Sequence, residues 1–330
     1  MTIPSMLLVM TLAAQATTPA RPTPRTPPPA PADQAIIAVQ VALDRAGFSP
    51  GVIDGKTGAN TQRAAAAYRE QQGADIAPAG EPLLQYQITS EDTAGPFTDV
   101  IPDDLVEQST LPSLSYRSAA EALGERFHTT ADVLKRLNPS ATFAAGETIA
   151  VPNVEPFELP APSATTAPGP VAAKGSTTAG RNRPAGTSGV TDTPTVVVRV
   201  SKSASALTVT GQDGKIVFFA PVTTGSEKDP LPIGEWKVNG VQYNPTFRYN
   251  PALFWDADPS HTKANIPPGP NGPVGVAWID ISKEHYGLHG TPEPTQIGRT
   301  ESHGCVRLTN WDVLRLAKLV RPGTQVIFTE

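Results

Sequence analysis

Ala206-Leu207-Thr208-Val209-Thr210, then Gly211-Gln212-Asp213-Gly214, then Lys215-Ile216-Val217-Phe218-Phe219-Ala220-Pro221-Val222 are two β-prone runs separated by an Asp-Gly turn. β-Branched and aromatic residues suit a pleated surface, and a Gly-containing connection between two such runs signals a hairpin. The pattern extends outward on both sides, with Val196-Val197-Val198 before it and Glu235 to Val241 after it. One helical stretch interrupts it, from about Trp311 to Val320, with Thr309 or Asn310 as cap and Pro322-Gly323 as stop. Residues 195–330 are therefore predicted to be a mostly-β domain, sandwich-like or barrel-like, with one main helix.

A chain of 330 residues exceeds what one core usually holds, so a multidomain protein is expected. Its 36 prolines concentrate in two places, 17–33 and 158–194, which read as extended linkers because Thr, Pro, Ala and Gly bury too little apolar surface to offset ordering entropy. The second of these is expected to let the last domain search freely. Between them, Ile36, Ile37, Val39, Leu43 and Ala46 recur at helical spacing, a turn-rich loop runs from Gly47 to Gly55, and Thr61 to Gln72 is helical again, giving a small all-α domain over 34–80. Over 112–155, helices at Ala119–Phe127 and Ala131–Leu137 followed by a strand at Glu147–Pro152 suggest a small α+β unit of order β-α-α-β.

The short apolar run Met6 to Ala14, followed by Ala14-Gln15-Ala16, fits a cleaved secretory signal over 1–16 and is too short to span a bilayer. A periplasmic location with no integral membrane segment after cleavage is the expectation. A formal charge of −5 with no basic block argues against nucleic acid as a partner. The single cysteine, Cys305, rules out an intramolecular disulfide, so the thiol needs another reason to be there.

That reason lies in its neighbourhood. His289-Gly290-Thr291 is followed by Ser302-His303-Gly304-Cys305-Val306-Arg307. A cysteine nucleophile needs a base to make the thiolate and donors for the oxyanion. His289 supplies an imidazole, the Gly290 carbonyl is a candidate to orient it, and Gly304 lets the amides of Gly304 and Cys305 approach a substrate carbonyl. Competing readings remain: Cys305 packed as a small apolar residue, His303 as a loop hydrogen-bonding group, Arg307 as a structural ion-pair partner. A metal set from His285, His289, His303 and Cys305 is weighed and set aside, because the His285–His289 spacing falls in a β-prone context without a Glu partner; no metal and no cofactor are expected.

The His-Gly and Ser-His-Gly-Cys-Val-Arg motifs, with the following Asn310-Trp311-Asp312, resemble the YkuD-type L,D-transpeptidase catalytic domain. The resemblance extends to Leu231-Pro232-Ile233-Gly234-Glu235-Trp236 and to Pro268 through Gly275. Residues 34–80, through Gly51-Val52-Ile53-Asp54-Gly55, resemble a helical peptidoglycan-binding domain, and 112–155 resemble a LysM module. The resemblance implies Cys305 as nucleophile, His289 as base, Gly290 as its orienting backbone, His303 and Gly304 as shaping the acyl site, and Arg307 as a ligand for a substrate carboxylate. It also implies a thioester with a peptidoglycan stem peptide, release of the terminal D-alanine, a 3→3 cross-link and inhibition by carbapenems. Two other outcomes stay open: hydrolysis of the same thioester, as in an L,D-carboxypeptidase or a wall-protein-detaching enzyme, and a non-catalytic peptidoglycan-binding scaffold.

Overall fold

The computed structural model describes residues 31–159 and 196–330. The expected signal segment, most of the first linker and nearly all of the second lie outside the described residues.

The described residues begin with α1 (Pro31–Arg45) and α2 (Ala59–Gln72), the helix-loop-helix expected from the sequence. A second unit pairs β1 (Leu83–Gln87) antiparallel with β2 (Thr148–Pro152), enclosing α3 (Ser90–Thr93), α4 (Leu105–Gln108), α5 (Ala119–Arg126) and α6 (Ala131–Leu137). The two expected helices, α5 and α6, are present, but four helices lie between the strands where two were expected, and the first strand precedes residue 112. Leu-Leu-Gln-Tyr-Gln carries too little alternation to announce itself, and its long-range partner makes it a strand. The two units also share a core: Ile37, Val41 and Ile53 pack with Leu123, Phe127, Leu134 and Ile149.

The C-terminal domain contains β3 (Val197–Ser201), β4 (Ala206–Thr210), β5 (Ile216–Pro221), β6 (Gly234–Tyr243), β7 (Phe247–Tyr249), β8 (Ala264–Ile266), β9 (Ala277–Ile281), β10 (Gly287–His289), β11 (Val306–Arg307), α7 (Asn310–Leu319) and β12 (Gln325–Thr329). Eight of the strands form one sheet in the order β11-β10-β9-β6-β12-β3-β4-β5, while β7 and β8 pair separately. This corrects the sandwich expectation, because the strands form one continuous hydrogen-bonded ladder. Past the end of β5 the chain meets the opposite edge, where Thr223 and Arg307 exchange backbone hydrogen bonds of 2.9 and 3.1 Å. The sheet is thereby curled until its two ends touch. Trp311, Val313, Leu314 and Leu316 of α7 belong to the same core as Val198, Leu207, Ile279, Leu288 and Val326. The Thr309 hydroxyl caps α7 by accepting from the Asp312 amide at 3.1 Å.

The N-terminal units are docked on this domain, contrary to the expectation of a freely searching one. Leu43, Phe48 and Ala64 pack with Ala206 and Phe219, and the Ser49 and Phe219 amides donate to Phe219 and Gly47 carbonyls at 2.9 Å. The otherwise open edge of β5 is thus covered, which removes a site for unwanted strand pairing. Deeper in the seam, Arg315 grips Asp44 at 2.8 and 3.0 Å, His128 Nδ1 lies 3.0 Å from Asp44, and the His128 ring stacks on Trp311 at 5.5 Å. Ser49 Oγ donates to Asp312 Oδ2 at 2.9 Å. Buried charges persist only when paired, so these contacts hold a specific docked geometry.

Candidate active site

Two short strands bring the separated motifs together. β10 and β11 pair in parallel, with Leu288 opposite Val306 and His289 opposite Arg307. Extending that register sets Gly287 beside Cys305. Cys305 stands in the bend that leads into β11, so it and His289 are offset by two residues, roughly 6–7 Å along the strands.

His289 is buried, and its ring stacks on Trp278 at 5.5 Å with 17° between planes. Its Nδ1 lies 2.7 Å from the Gly290 carbonyl oxygen. A carbonyl can only accept, so Nδ1 carries the proton and Nε2 is the basic nitrogen. Burial lowers the imidazole pKa to about 3, nearby Arg307 acts in the same direction, and the Gly290 bond opposes both. Gly290 has its own steric requirement, since a Cβ there would stand 2.2 Å from Asn310 Oδ1.

Cys305 is half-buried, and its thiol donates to the His285 carbonyl across 3.8 Å. Burial pushes the thiol up to about 11, partly offset by the Gly287 backbone and by Arg307. The resting pair is therefore a neutral thiol and a neutral imidazole. Gly304 has φ +96° and a Cβ there would lie 2.5 Å from Tyr286 Cε1, so both backbone conformation and aromatic contact demand glycine. The Ser302 hydroxyl donates to the Cys305 carbonyl at 2.6 Å, and the Ser302 amide to Thr224 at 2.9 Å, pinning the loop from both sides.

His303 sits at 2.9 Å from Asp256 Oδ1 and edge-on to Phe254, which ties the segment after β7 to the nucleophile loop. Arg307 lines a polar cleft of about 390 Å³ with Thr223, Thr291, Glu293, Thr300 and Glu301. Among the described residues it makes no ion pair. Cys305 does not line that cleft but lies two residues before Arg307, in the bend that leads into β11. His285 Nε2 lies 3.6 Å from Glu284, so the four residues weighed as metal ligands have separate partners. Among the described residues no three potential ligands converge.

Sequence reasoning left out several residues that shape this site. Tyr286 packs on Gly304, a contact that its place in the sequence does not announce. Ser302 belongs to the motif, yet nothing in its identity announces a bond to the Cys305 carbonyl. Trp278, Asn310 and Glu125 come from other elements, and no spacing rule links them to His289.

Residues 195–328 match the YkuD L,D-transpeptidase catalytic domain. Over 139 residues the chain is 31% identical to the Bacillus subtilis protein named as an L,D-transpeptidase, YkuD, covering 42% of this chain and 70% of that protein. The chain belongs to the YkuD family of L,D-transpeptidases. A Bacillus licheniformis protein of the same name is 51% identical over 65 residues, covering 20% of this chain, which spans only 39% of that relative. Among solved structures, L,D-transpeptidase 3 of Mycobacterium tuberculosis with a faropenem-derived adduct is 21% identical, with a TM-score of 0.35 over 42% of this chain and 61% of that one. As an L,D-transpeptidase family member the chain has a catalytic domain of the transpeptidase kind, and the likeness lies in its C-terminal domain. Among the described residues no helix is long and apolar enough to cross a membrane.

Proposed function

We propose that the protein is a cysteine-dependent acyltransferase of the cell wall, acting on peptidoglycan stem peptides through a thioester on Cys305. The observation that carries this reading is the Nδ1–Gly290 hydrogen bond of 2.7 Å, which makes Nε2 the basic nitrogen of His289, two residues along the β10–β11 register from Cys305. The Cys305 sulfur attacks the carbonyl preceding the terminal D-alanine, and His289 Nε2 takes the thiol proton as the carbon–sulfur bond forms. Because thiol and imidazole are both neutral at rest, deprotonation accompanies attack rather than preceding it. The tetrahedral oxyanion is held by the Gly304 and Cys305 amides, and His289 returns the proton to the departing amine. The amine of a second stem then attacks the thioester, giving a 3→3 cross-link and restoring the thiol.

Arg307, a half-buried cation without an ion-pair partner among the described residues, binds a substrate carboxylate in the adjoining cleft. The two N-terminal units, which resemble wall-binding modules, bring the domain to peptidoglycan. Export to the periplasm rests on the Met6–Ala16 pattern.

The full-length protein is mixed with disaccharide tetrapeptides and the products are weighed by mass spectrometry. Cross-linked dimers with loss of D-alanine are expected; tripeptides alone would replace transpeptidation by hydrolysis. A carbapenem should add one covalent equivalent to the protein and none to Cys305→Ala, and an adduct on the alanine variant would refute the nucleophile.

A further inference from the structure

We infer that Glu125, contributed by the N-terminal half of the chain, is a positioning residue for His289, acting through Asn310 and Gly290. The inference rests on reading His289 as the catalytic base, and it makes the docked N-terminal half part of the catalytic scaffold.

The geometry forms one chain of contacts. Glu125 is 6% exposed, and its carboxyl oxygens both lie 3.0 Å from Asn310 Nδ2, while the Tyr116 hydroxyl donates to Oε2 at 2.9 Å. Asn310 is fully buried and has no freedom to turn: Nδ2 also donates to the Pro270 carbonyl at 3.0 Å, and Oδ1 accepts from the Val276 amide at 3.2 Å. Acceptors stand on the amino side and a donor on the carbonyl side, so a flipped amide would lose all of these bonds. Oδ1 is then wedged against two backbones at once, since a Cβ at Gly275 or Gly290 would stand 2.1 or 2.2 Å from it. The Gly290 peptide so held carries the carbonyl that fixes the His289 tautomer. The catalytic domain supplies Asn310, but the group that satisfies the remainder of its amide comes from α5, across the seam. Burial raises the Glu125 carboxyl to about 8 against the Asn310 and Tyr116 hydrogen bonds, and both of its oxygens accept, so an amide in its place would set a donor against Asn310 Nδ2 or the Tyr116 hydroxyl.

The test uses the full chain with ¹⁵N-labelled histidine. There are five histidines, and His289 is assigned by its disappearance in His289→Gln. Wild-type protein should show a single Nδ1–H tautomer at His289. Glu125→Asp keeps an acid in the seam but withdraws it by one methylene. It should broaden or mix the His289 tautomers while leaving the His261 and His303 signals in place. It should also slow carbapenem acylation by about ten- to a hundredfold with little change in half-saturating concentration, because the reacting geometry is disturbed and ground-state binding is not. Glu125→Gln, with an N–H₂ where an acceptor stands, should show both changes. If Glu125→Asp does not fold, Tyr116→Phe, which removes one hydroxyl from the same carboxyl, should show the milder form of both changes. A folded Glu125→Asp, Glu125→Gln or Tyr116→Phe with the wild-type tautomer and rate overturns the inference. Were the wild type to form no carbapenem adduct, the proposed activity would fall while the tautomer measurement still decided the role of Glu125.

Discussion

Titrating Cys305 with a small uncharged alkylating agent such as iodoacetamide probes the resting state of the site directly, because the protein has no other cysteine. The thiol is held at about 11 against an ordinary value of 9.0. At pH 7 that corresponds to a thiolate fraction of about 10⁻⁴, compared with about 10⁻² for an unperturbed thiol on the same reference. The more basic thiolate is intrinsically the better nucleophile, recovering roughly tenfold over two units at a Brønsted slope near 0.45. Alkylation should therefore run about tenfold slower than for a free thiol at pH 7 and climb nearly tenfold per pH unit up to about pH 10. With His289 lowered to about 3, no inflection from imidazole is expected above pH 4. A preformed thiolate–imidazolium pair would instead give fast alkylation with a flat region between pH 5 and 8. Stopped aliquots weighed by mass spectrometry distinguish the two, and such a plateau would refute the neutral-pair mechanism. His289→Gln should leave the alkylation profile nearly unchanged yet slow carbapenem acylation by about 10²–10⁴-fold, since only the latter needs a positioned base.

Gly304→Ala forces a Cβ toward Tyr286 at a backbone φ of +96°, a strain of about 1–3 kcal/mol; the variant should melt somewhat earlier and lose most adduct formation, and a wild-type adduct rate would remove the loop geometry from the mechanism. Asp44→Asn breaks the buried cluster with Arg315 and His128 and should cost about 3–5 kcal/mol in urea unfolding at pH 6. Burial opposes ionisation of Asp44, but His128 and Arg315 outweigh it and hold the carboxyl at about 2 instead of 3.8. Its contribution is thus complete above pH 3.8 and is lost as the pH falls toward 2, so the asparagine variant should show a flatter acid limb, and an unaltered limb would place the acid sensitivity elsewhere.

Local chemistry made much of this protein legible in its sequence. The helix at Asn310–Leu319 with its Thr309 cap, the helices α1 and α2, and the strands β4 and β5 follow from periodicity and turn residues, which act over a few residues. Cys305, His289 and Gly290 were legible because a motif brings chemical types together at fixed spacing. The curled sheet was not, because β10 and β11 are only three and two residues long and their pairing joins segments a long loop apart. Nor was the first strand of the second unit, which becomes a strand only beside β2.

The sequence by itself determined the chemical inventory: one thiol, an imidazole followed by glycine, and a β-rich domain to carry them. Only the tertiary structure decided that imidazole and thiol both rest neutral, because that depends on how much water surrounds each group. It likewise decided that the N-terminal half is seated on the catalytic domain, with Glu125 and Asp44 reaching Asn310 and Arg315 across a buried seam. Burial and long-range contact are properties of the folded surface, and residue order alone carries neither.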